Sequence, residues 1–560
     1  NCSGFYGDRQ TAMREVLDGQ SNGGPVDVIT GDYLAELTML ILARDRLRDP
    51  GLGYAGTFLR QLEGSLGRAL DAGVAIVTNA GGLNPAGLAT AIERLADRLG
   101  LAVRVGHVVG DDLLDRAGEL GLGRPLAANA YLGGWGIAAC LAAGADVVVT
   151  GRVTDASLVL GPAAAHFGWQ PEDHDALAGA VVAGHILECG TQATGGNYSF
   201  FTEIADLRRP GFPIAEVYAD GSSVITKPAG SGGAVTLGTV TAQLLYEIAG
   251  PRYPGPDVTA RFDSIELATD GPDRVRVHGV RGEPPPPTCK VSLNSLGGFR
   301  NQVEFVLTGL EIEAKAALVR RQLADQVPAD AEWTFERTDR PDADTEVAAS
   351  TVLRCVVRGS DADAIGRRFS DAAVQLALGS YPGFHLTAPP GKAQPYGVFE
   401  AGWVPAGQVE QVAVLPDGSR QPIPPAALTR DFEPDADPER GQGDPAVAGP
   451  VRRLPLGTLV GARSGDKAGA ANLGLWVRQR RAWPWLAETL TVDELRRLLP
   501  ELAGLPVRRY LLPNLLAVNF VIDGLLGAGV AYQARFDPQA KALGEWLRSR
   551  TVDIPEELLS

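Results

Sequence analysis

From Asp27 to Cys189 the chain alternates short β-branched runs with longer segments of helical period, and this alternation limits the fold more than any other feature. Residues 26–29, 74–77, 102–105 and 146–149 read as strands. Residues 33–47, Pro85–Leu99, a short stretch from Asp111, and residues 129–143, 156–167 and 175–188 read as helices. Strand and helix in alternation predict an α/β fold, with a mostly parallel sheet carrying helices on both faces.

The pattern changes after residue 200. Residues 212–218, Ser223–Thr226 and 234–240 read as strands, and 260–268 with 274–280 as a hairpin around Asp270-Gly271. A proline run from Pro284 to Pro287 marks a boundary or rigid turn. From Lys290 the order strand, helix, strand, strand, helix fits an α+β, ferredoxin-like sandwich. Residues 431–450, rich in Pro, Asp and Gly, read as a linker. The expected organisation is a core α/β domain with the candidate site over 1–285, a second α+β subdomain over 286–430, a linker over 431–451, and a further domain over 452–560.

Composition removes several classes of function. With 67 acidic against 51 basic residues and a net charge of −16, the chain is poorly suited to displace the counterions of a nucleic acid. No apolar run reaches the length of a membrane span and no signal peptide is visible, so no membrane association is expected. Five widely spaced cysteines (Cys2, Cys140, Cys189, Cys289, Cys355) form no paired framework, which points to a reducing cytoplasm. The chain opens on a loop-like Asn1-Cys2-Ser3-Gly4, from which an upstream strand is expected. Lysine is rare beside arginine, and four lysines (Lys227, Lys290, Lys392, Lys467) fall in loop-like segments near Gly, Pro or Cys, where a compact, tunable charge is useful.

Each early strand runs into a glycine-containing turn with polar side chains: Thr30-Gly31-Asp32; Thr78-Asn79-Ala80-Gly81-Gly82-Leu83-Asn84; Gly106-His107 with Gly110-Asp111-Asp112; and Thr150-Gly151-Arg152-Val153-Thr154-Asp155. In a parallel sheet these turns share the carboxyl edge, where open α/β folds bind ligands. Individually such residues are also ordinary helix caps. Two further glycine-rich loops, Glu188–Asn197 with Thr194 and Gly195, and Lys227 to Gly233 with Ser231 and Gly232, could cradle an anion or simply form tight turns. Neither matches a nucleotide-binding motif. His185 and Cys189, spaced i, i+4, could pair as base and thiol, and His185 with Glu188 as acid and base. Metal-ligand spacing is absent; Asp32, Asp111 and Asp155 could hold Mg²⁺, although no cofactor is required by the sequence. Asp466 and Lys467, with Asn472 beyond, form a charged glycine-flanked turn suited to a ligand or a partner.

These segments carry a family resemblance. Asn1-Cys2-Ser3-Gly4-Phe5-Tyr6-Gly7-Asp8-Arg9, the run from Ile29 to Glu36, Thr78 to Pro85, Thr150 to Asp155, Gly184 to Gly190, Gly211 to Glu216, Thr226 to Gly233 and Ser380 to Phe384 resemble the acyclic terpene utilisation (AtuA) family. Ser464-Gly465-Asp466-Lys467 resembles the start of the ferredoxin-fold domain that follows it in fused members, with Ala468 where a glycine often follows the lysine. The resemblance implies an AtuA core, a C-terminal ferredoxin-fold domain and a role in breakdown of acyclic terpenoids such as citronellol and geraniol, alongside acyl-CoA carboxylases and hydratases. It carries over no catalytic residue.

The expected function is proton-transfer catalysis (hydratase, isomerase or lyase) on an acyl-CoA or free carboxylate. Asp8, Asp32, Asp155, His185, Glu188 and Cys189 are the candidate catalytic groups. Arg9, Asn79, Gly81, Gly82, Asn84, Arg152, Thr194, Gly195, Lys227, Ser231, Gly232, Asp466 and Lys467 are the candidate substrate contacts. The alternatives are a non-catalytic accessory subunit that binds an acyl-CoA carboxylase or hydratase through residues 452–560, and a Cys189-dependent hydrolase or transferase. A homo-oligomer is compatible with each.

Overall fold

The computed structural model describes residues 1–19, 26–432 and 449–559, and its contacts divide the chain into two units. Most of the linker expected over 431–451 lies outside the described residues.

The first unit comprises Asn1–Asn294, Phe399–Gly527 and Gln539–Ser560. Its early strands are β1 (Val28–Gly31), β2 (Ala75–Thr78), β3 (Val105–Val109), β4 (Ala127–Ala130) and β5 (Val147–Thr150). Strands β1, β2, β5 and β3 lie side by side in that order, all parallel, with Ile29 opposite Ile76 and Val77 opposite Val148. Successive side chains take opposite faces. Ile29, Ile76, Val147 and Val149 pack with Phe58, Leu88 and Ile92, while Val77, Val108 and Val148 pack with Ile137, Cys140 and Leu158. Helices therefore cover both faces, and each large side chain removed from water contributes about 1.5–3 kcal/mol.

The parallel character ends with these four strands. Beyond β3 the sheet continues as an antiparallel hairpin, Val412–Val414 and Arg420–Pro422, and the other sheets pair antiparallel. The expectation of a mostly parallel architecture is corrected accordingly. The physical reason is connection length: after Glu188 the strands are joined by short turns such as Asp270 to Arg274, which brings Thr269 opposite Val275. A tight turn can join only antiparallel neighbours.

Three local readings also change. The strand expected over 102–105 begins only at Val105, so Gly106 and His107 lie within β3 and not in a turn after it. Residues 129–143 are not one helix. β4 leaves the parallel sheet to pair with the strand Thr288–Thr308, placing Ala130 opposite Val291, and the helix begins only at Trp135. Residues 234–240 are not a strand. Thr236 caps the helix Leu237–Leu244 by accepting the Thr239 N–H at 3.2 Å, a capping signal that outweighs the β-branched composition.

The C-terminal residues of this unit form an antiparallel sheet in the order Val460–Lys467, Ala470–Val477, Ala517–Ile522, Val507–Leu512, with the helices Trp483–Thr489, Val492–Leu498 and Leu543–Ser549. Leu473, Leu475 and Phe520 pack with Leu486, Leu495 and Leu547. Trp476, Leu512 and Ala517 instead join the hydrophobic cluster of Leu177, Ile186 and Leu245, so this sheet is built into the core.

The second unit comprises Ser295–Val398 and Ala528–Pro538. Its sheet pairs Thr288–Thr308, Ser350–Gly359 and Glu332–Phe335 antiparallel, and one face packs on helices through Phe305, Leu353, Val319 and Phe369.

Ala468 links Lys467 to its register partner Ala470 with φ +56°. A left-handed dihedral costs an L-residue about 1–2 kcal/mol, part of which glycine returns as unfolded-state entropy. Ala468→Gly is expected to stabilise the protein by about 0.5–1 kcal/mol, read as a higher urea midpoint with an unchanged slope.

Candidate active site

The four parallel strands end on one edge, and there Arg152 organises a buried polar cluster. Arg152 follows β5 and is 4% exposed. Its Nη1 donates to Leu34 O at 3.0 Å and its Nη2 to Asp155 Oδ1 at 2.8 Å, while its guanidinium lies 4.4 Å from the Tyr131 ring centroid. Its backbone N–H donates to Asp111 Oδ2, which also accepts from Asn129 Nδ2. The turns after β1, β3, β4 and β5 are thus tied to one cation. Lys290 stands over the same Tyr131 ring at 4.6 Å.

Asp32, after β1, is buried beside this cation. Its Oδ1 accepts from Asn79 Nδ2 at 2.6 Å, and Asn79 Oδ1 accepts the Tyr33 N–H at 2.8 Å. Burial, reinforced by Asp155 and opposed by Arg152, holds the Asp32 carboxyl well above the usual carboxylate range. Glu188, at the end of the helix His174–Glu188, behaves alike: burial, then the charges of Asp155 and Glu247, raise it well above its ordinary value, while Lys467 and Arg152 oppose them. Both groups therefore favour the neutral, proton-bearing form.

His185 is fully buried, with Nδ1 3.1 Å from Glu188 Oε1 but without hydrogen-bond alignment. Burial, followed by the Lys467 charge, lowers the imidazole to about 4. It packs against the mutually stacked Tyr253 and Phe262 rings, each centroid 5.3 Å away. Glu188 Oε2 is buried without a hydrogen-bond partner. Cys189 follows, and burial with the Glu188 and Glu247 charges pushes its thiol well up. That electrostatic setting opposes a thiolate.

The C-terminal sheet reaches this cluster. Lys467 Nζ donates to Glu247 O at 2.7 Å, and Asn472 Oδ1 accepts the Glu247 N–H at 2.8 Å. These two bonds fix Glu247 with φ +57°. The approach needs two glycines: a Cβ on Gly465 would stand 2.4 Å from the Tyr246 ring, and one on Gly474 2.5 Å from Leu245 Cβ. Lys541 Nζ donates to the Tyr246 hydroxyl at 2.8 Å. Asp466, opposite Ala471, sits on the same strand as Lys467.

The other expected residues fall elsewhere or take structural roles. Lys227 leaves an antiparallel sheet, donating to Ser231 O at 2.8 Å and pairing with Asp273 at 3.2 Å. Ser231 and Gly232 line a separate surface cavity of about 730 Å³ with Arg9, Arg208, Arg209 and Phe212, and Arg9 there binds Glu15 and Pro210 O. Asp8 accepts the Gly4 N–H at 2.8 Å, and burial raises its carboxyl. Asn84 caps its helix by accepting the Gly87 N–H, Gly81 packs on Thr150 O, and Gly82 takes φ +52°. Thr194 donates to Gly211 O, and Gly195 turns the loop at φ +104°. Asp111 is committed to the Arg152 and Asn129 donors, and among the described residues no group of three or more His, Cys, Asp or Glu side chains converges as a metal centre. No described helix is long and apolar enough to cross a membrane.

Sequence reasoning did not single out Glu247, Tyr131 or Tyr253. Tyr131 and Glu247 lay in segments without a motif, and their place in the cluster comes from long-range packing.

The fold and this edge site define an α/β core completed by a ferredoxin-like sheet. The family model for the acyclic terpene utilisation family protein AtuA matches residues 1–415, and that for the AtuA ferredoxin-like domain matches residues 454–553. The chain belongs to the AtuA family, which supports a role in terpenoid catabolism. No curated protein and no solved structure matches it.

Burial pushes the Asp111 carboxyl up to about 6, against its two accepted hydrogen bonds. A value above the unfolded one, about 3.9, means that the group's contribution to stability is complete below pH ~4 and is lost as pH rises. The loss is finished once pH passes about 6. Between pH 4 and pH 7 this group should cost the wild type about 3 kcal/mol, and Asp111→Asn should flatten that part of the slope in urea midpoints.

Proposed function

We propose that the chain is an acid–base enzyme of acyclic terpenoid breakdown, a hydratase, isomerase or lyase acting on a carboxylate or acyl-CoA intermediate. The observation that carries this reading is the pair of buried carboxyls, Asp32 and Glu188, set around the buried Arg152. A carboxyl kept neutral by its surroundings can donate a proton near neutral pH, where a solvated one has already lost it. Arg152 supplies a fixed positive charge for a carboxylate or a developing thioester oxyanion, in a setting where little water competes. Asp155 is the solvent-facing member of the cluster, its side chain 28% exposed against 7% for Glu188 and 5% for Arg152, and it marks the side from which a substrate approaches.

The accessory-subunit reading places the partner on residues 452–560. Much of that sheet is already spent on Tyr246, Glu247 and the cluster around Leu245, and removing it would strip the core of Trp476 and Leu512. A deletion would therefore unfold the site as well as remove a docking surface.

The test is turnover of a panel of branched acyclic enoyl-CoA thioesters by the full chain. Glu188→Gln and Asp32→Asn should each lower kcat by about 10²–10⁴-fold. Both should retain the ligand-induced rise in melting temperature, and Arg152→Gln should lose it. Turnover should fall as pH rises and Glu188 gives up its proton. Full activity in both carboxyl variants would end this reading.

A further inference from the structure

The face of the second unit's sheet turned away from its helices carries three arginines, Arg358 of them buried, in an arrangement that a folded protein has reason to avoid. Register sets Arg300 directly opposite Arg358 on the antiparallel pair Thr288–Thr308 and Ser350–Gly359, and sets Arg354 opposite Glu304 on the same face. Like charges directly opposite across strands are destabilising. The alternate residues Val303, Phe305, Leu353 and Cys355 point to the other face and form the core with the helices, so one strand pair holds both an apolar and a cationic side.

The partners of these arginines are few. Arg358 pairs with Glu332 and donates to Tyr532 O at 3.1 Å, with the Tyr532 ring centroid 4.1 Å from its guanidinium carbon. Arg354 donates to Ala534 O, and Arg300 reaches only Gln302 Oε1 at 3.4 Å. Among the described residues neither Arg300 nor Arg354 has a carboxylate partner, and the Nε of each is buried without a hydrogen bond. Glu304, opposite Arg354, accepts from Thr387 at 3.0 Å instead. The chain has 67 acidic residues to draw on, so the missing counter-charge is not a matter of composition. Burial, then the neighbouring charges of Arg354 and Arg358, depress the Arg300 guanidinium, which records their mutual repulsion. Segment Ala528–Pro538 lies along this face, and its carbonyls hold Arg354 and Arg358 in place.

We propose that Arg300, Arg354 and Arg358 form an anion site for the phosphate group of a phosphorylated small molecule. A phosphate dianion offers several oxygens to the planar guanidinium forks of Arg300 and Arg354, and its charge offsets their repulsion with the buried, Glu332-paired Arg358. A single carboxylate would neutralise only part of the charge. The site rests on the second unit alone and is independent of the reaction proposed for the core.

The probe is inorganic pyrophosphate, titrated into the full chain at ionic strength matched with chloride, with melting temperature and calorimetry as readouts. Wild type should gain a few degrees at saturating pyrophosphate. Arg300→Gln should weaken binding at least tenfold, and without ligand it should melt at or above the wild-type temperature, because a repulsive charge is gone. Arg354→Gln provides the second variant should Arg300→Gln not fold, with the same weakening expected. Arg152→Gln should keep the pyrophosphate response. An undiminished response in the folded arginine variant of this face, a response lost in Arg152→Gln instead, or no response in wild type would each overturn the proposal.

Discussion

A guanidinium taken out of water must find its hydrogen bonds inside the protein, and in this chain Arg152 does so across four strand ends. Its side chain uses Leu34 O and Asp155, its backbone uses Asp111, and its plane uses Tyr131. An uncompensated buried charge costs several kcal/mol, so each of these partners is held where it is by the same requirement. The polar edge of the sheet then becomes a single body. Asp32 and Asn79 share a hydrogen bond beside it, and Glu188 comes in from the helix that follows. The cluster holds more acids than cations at close range, and burial resolves the imbalance by keeping carboxyls protonated instead of separating them.

The ferredoxin-like sheet enters this balance through Lys467. Its ammonium is fixed on the Glu247 carbonyl, and its charge acts on both Glu188 and His185, opposing ionisation of the imidazole and favouring that of the carboxyl. Glu247 keeps its left-handed backbone because Asn472 and Lys467 bind its N–H and C=O, and such strain persists only where surroundings over-determine it. A domain that could be read as an appendage is in physical terms a wall of the site.

Periodicity in the sequence was informative where a rule of chain geometry is local. Three of the four parallel strands and the helix Pro85–Leu99 follow from alternating apolar patterns, whereas β3 starts only at Val105 and contains the Gly106-His107 expected as its turn. The turns carrying Asp32, Asn79 and Arg152 fall on one edge because parallel strands leave no other arrangement. The same reasoning failed for Lys227. A glycine-rich loop with a lysine looks alike on any sheet, and here it belongs to an antiparallel one with Asp273 as its partner. It also failed for β4, where a short apolar run fits either state, and tertiary pairing with Val291 decides. Glu247 was not legible because its role depends on a contact with residue 467, far away in sequence and dictated by two glycines that admit Tyr246 and Leu245.

The two units use arginine in opposite ways. Around Arg152 the protein supplies the counter-charges itself, so the cation is locked and its acids are tuned. On the second unit's sheet face turned away from its helices, Arg300 and Arg354 donate to amide and carbonyl oxygens only. Neutral acceptors orient a guanidinium without cancelling its charge. The charges of Arg300 and Arg354 therefore remain to be met from outside the fold, in a chain whose overall charge of −16 otherwise repels anions. Local charge, not net charge, sets what such a surface attracts, because fields beyond about 8–10 Å are screened at physiological salt.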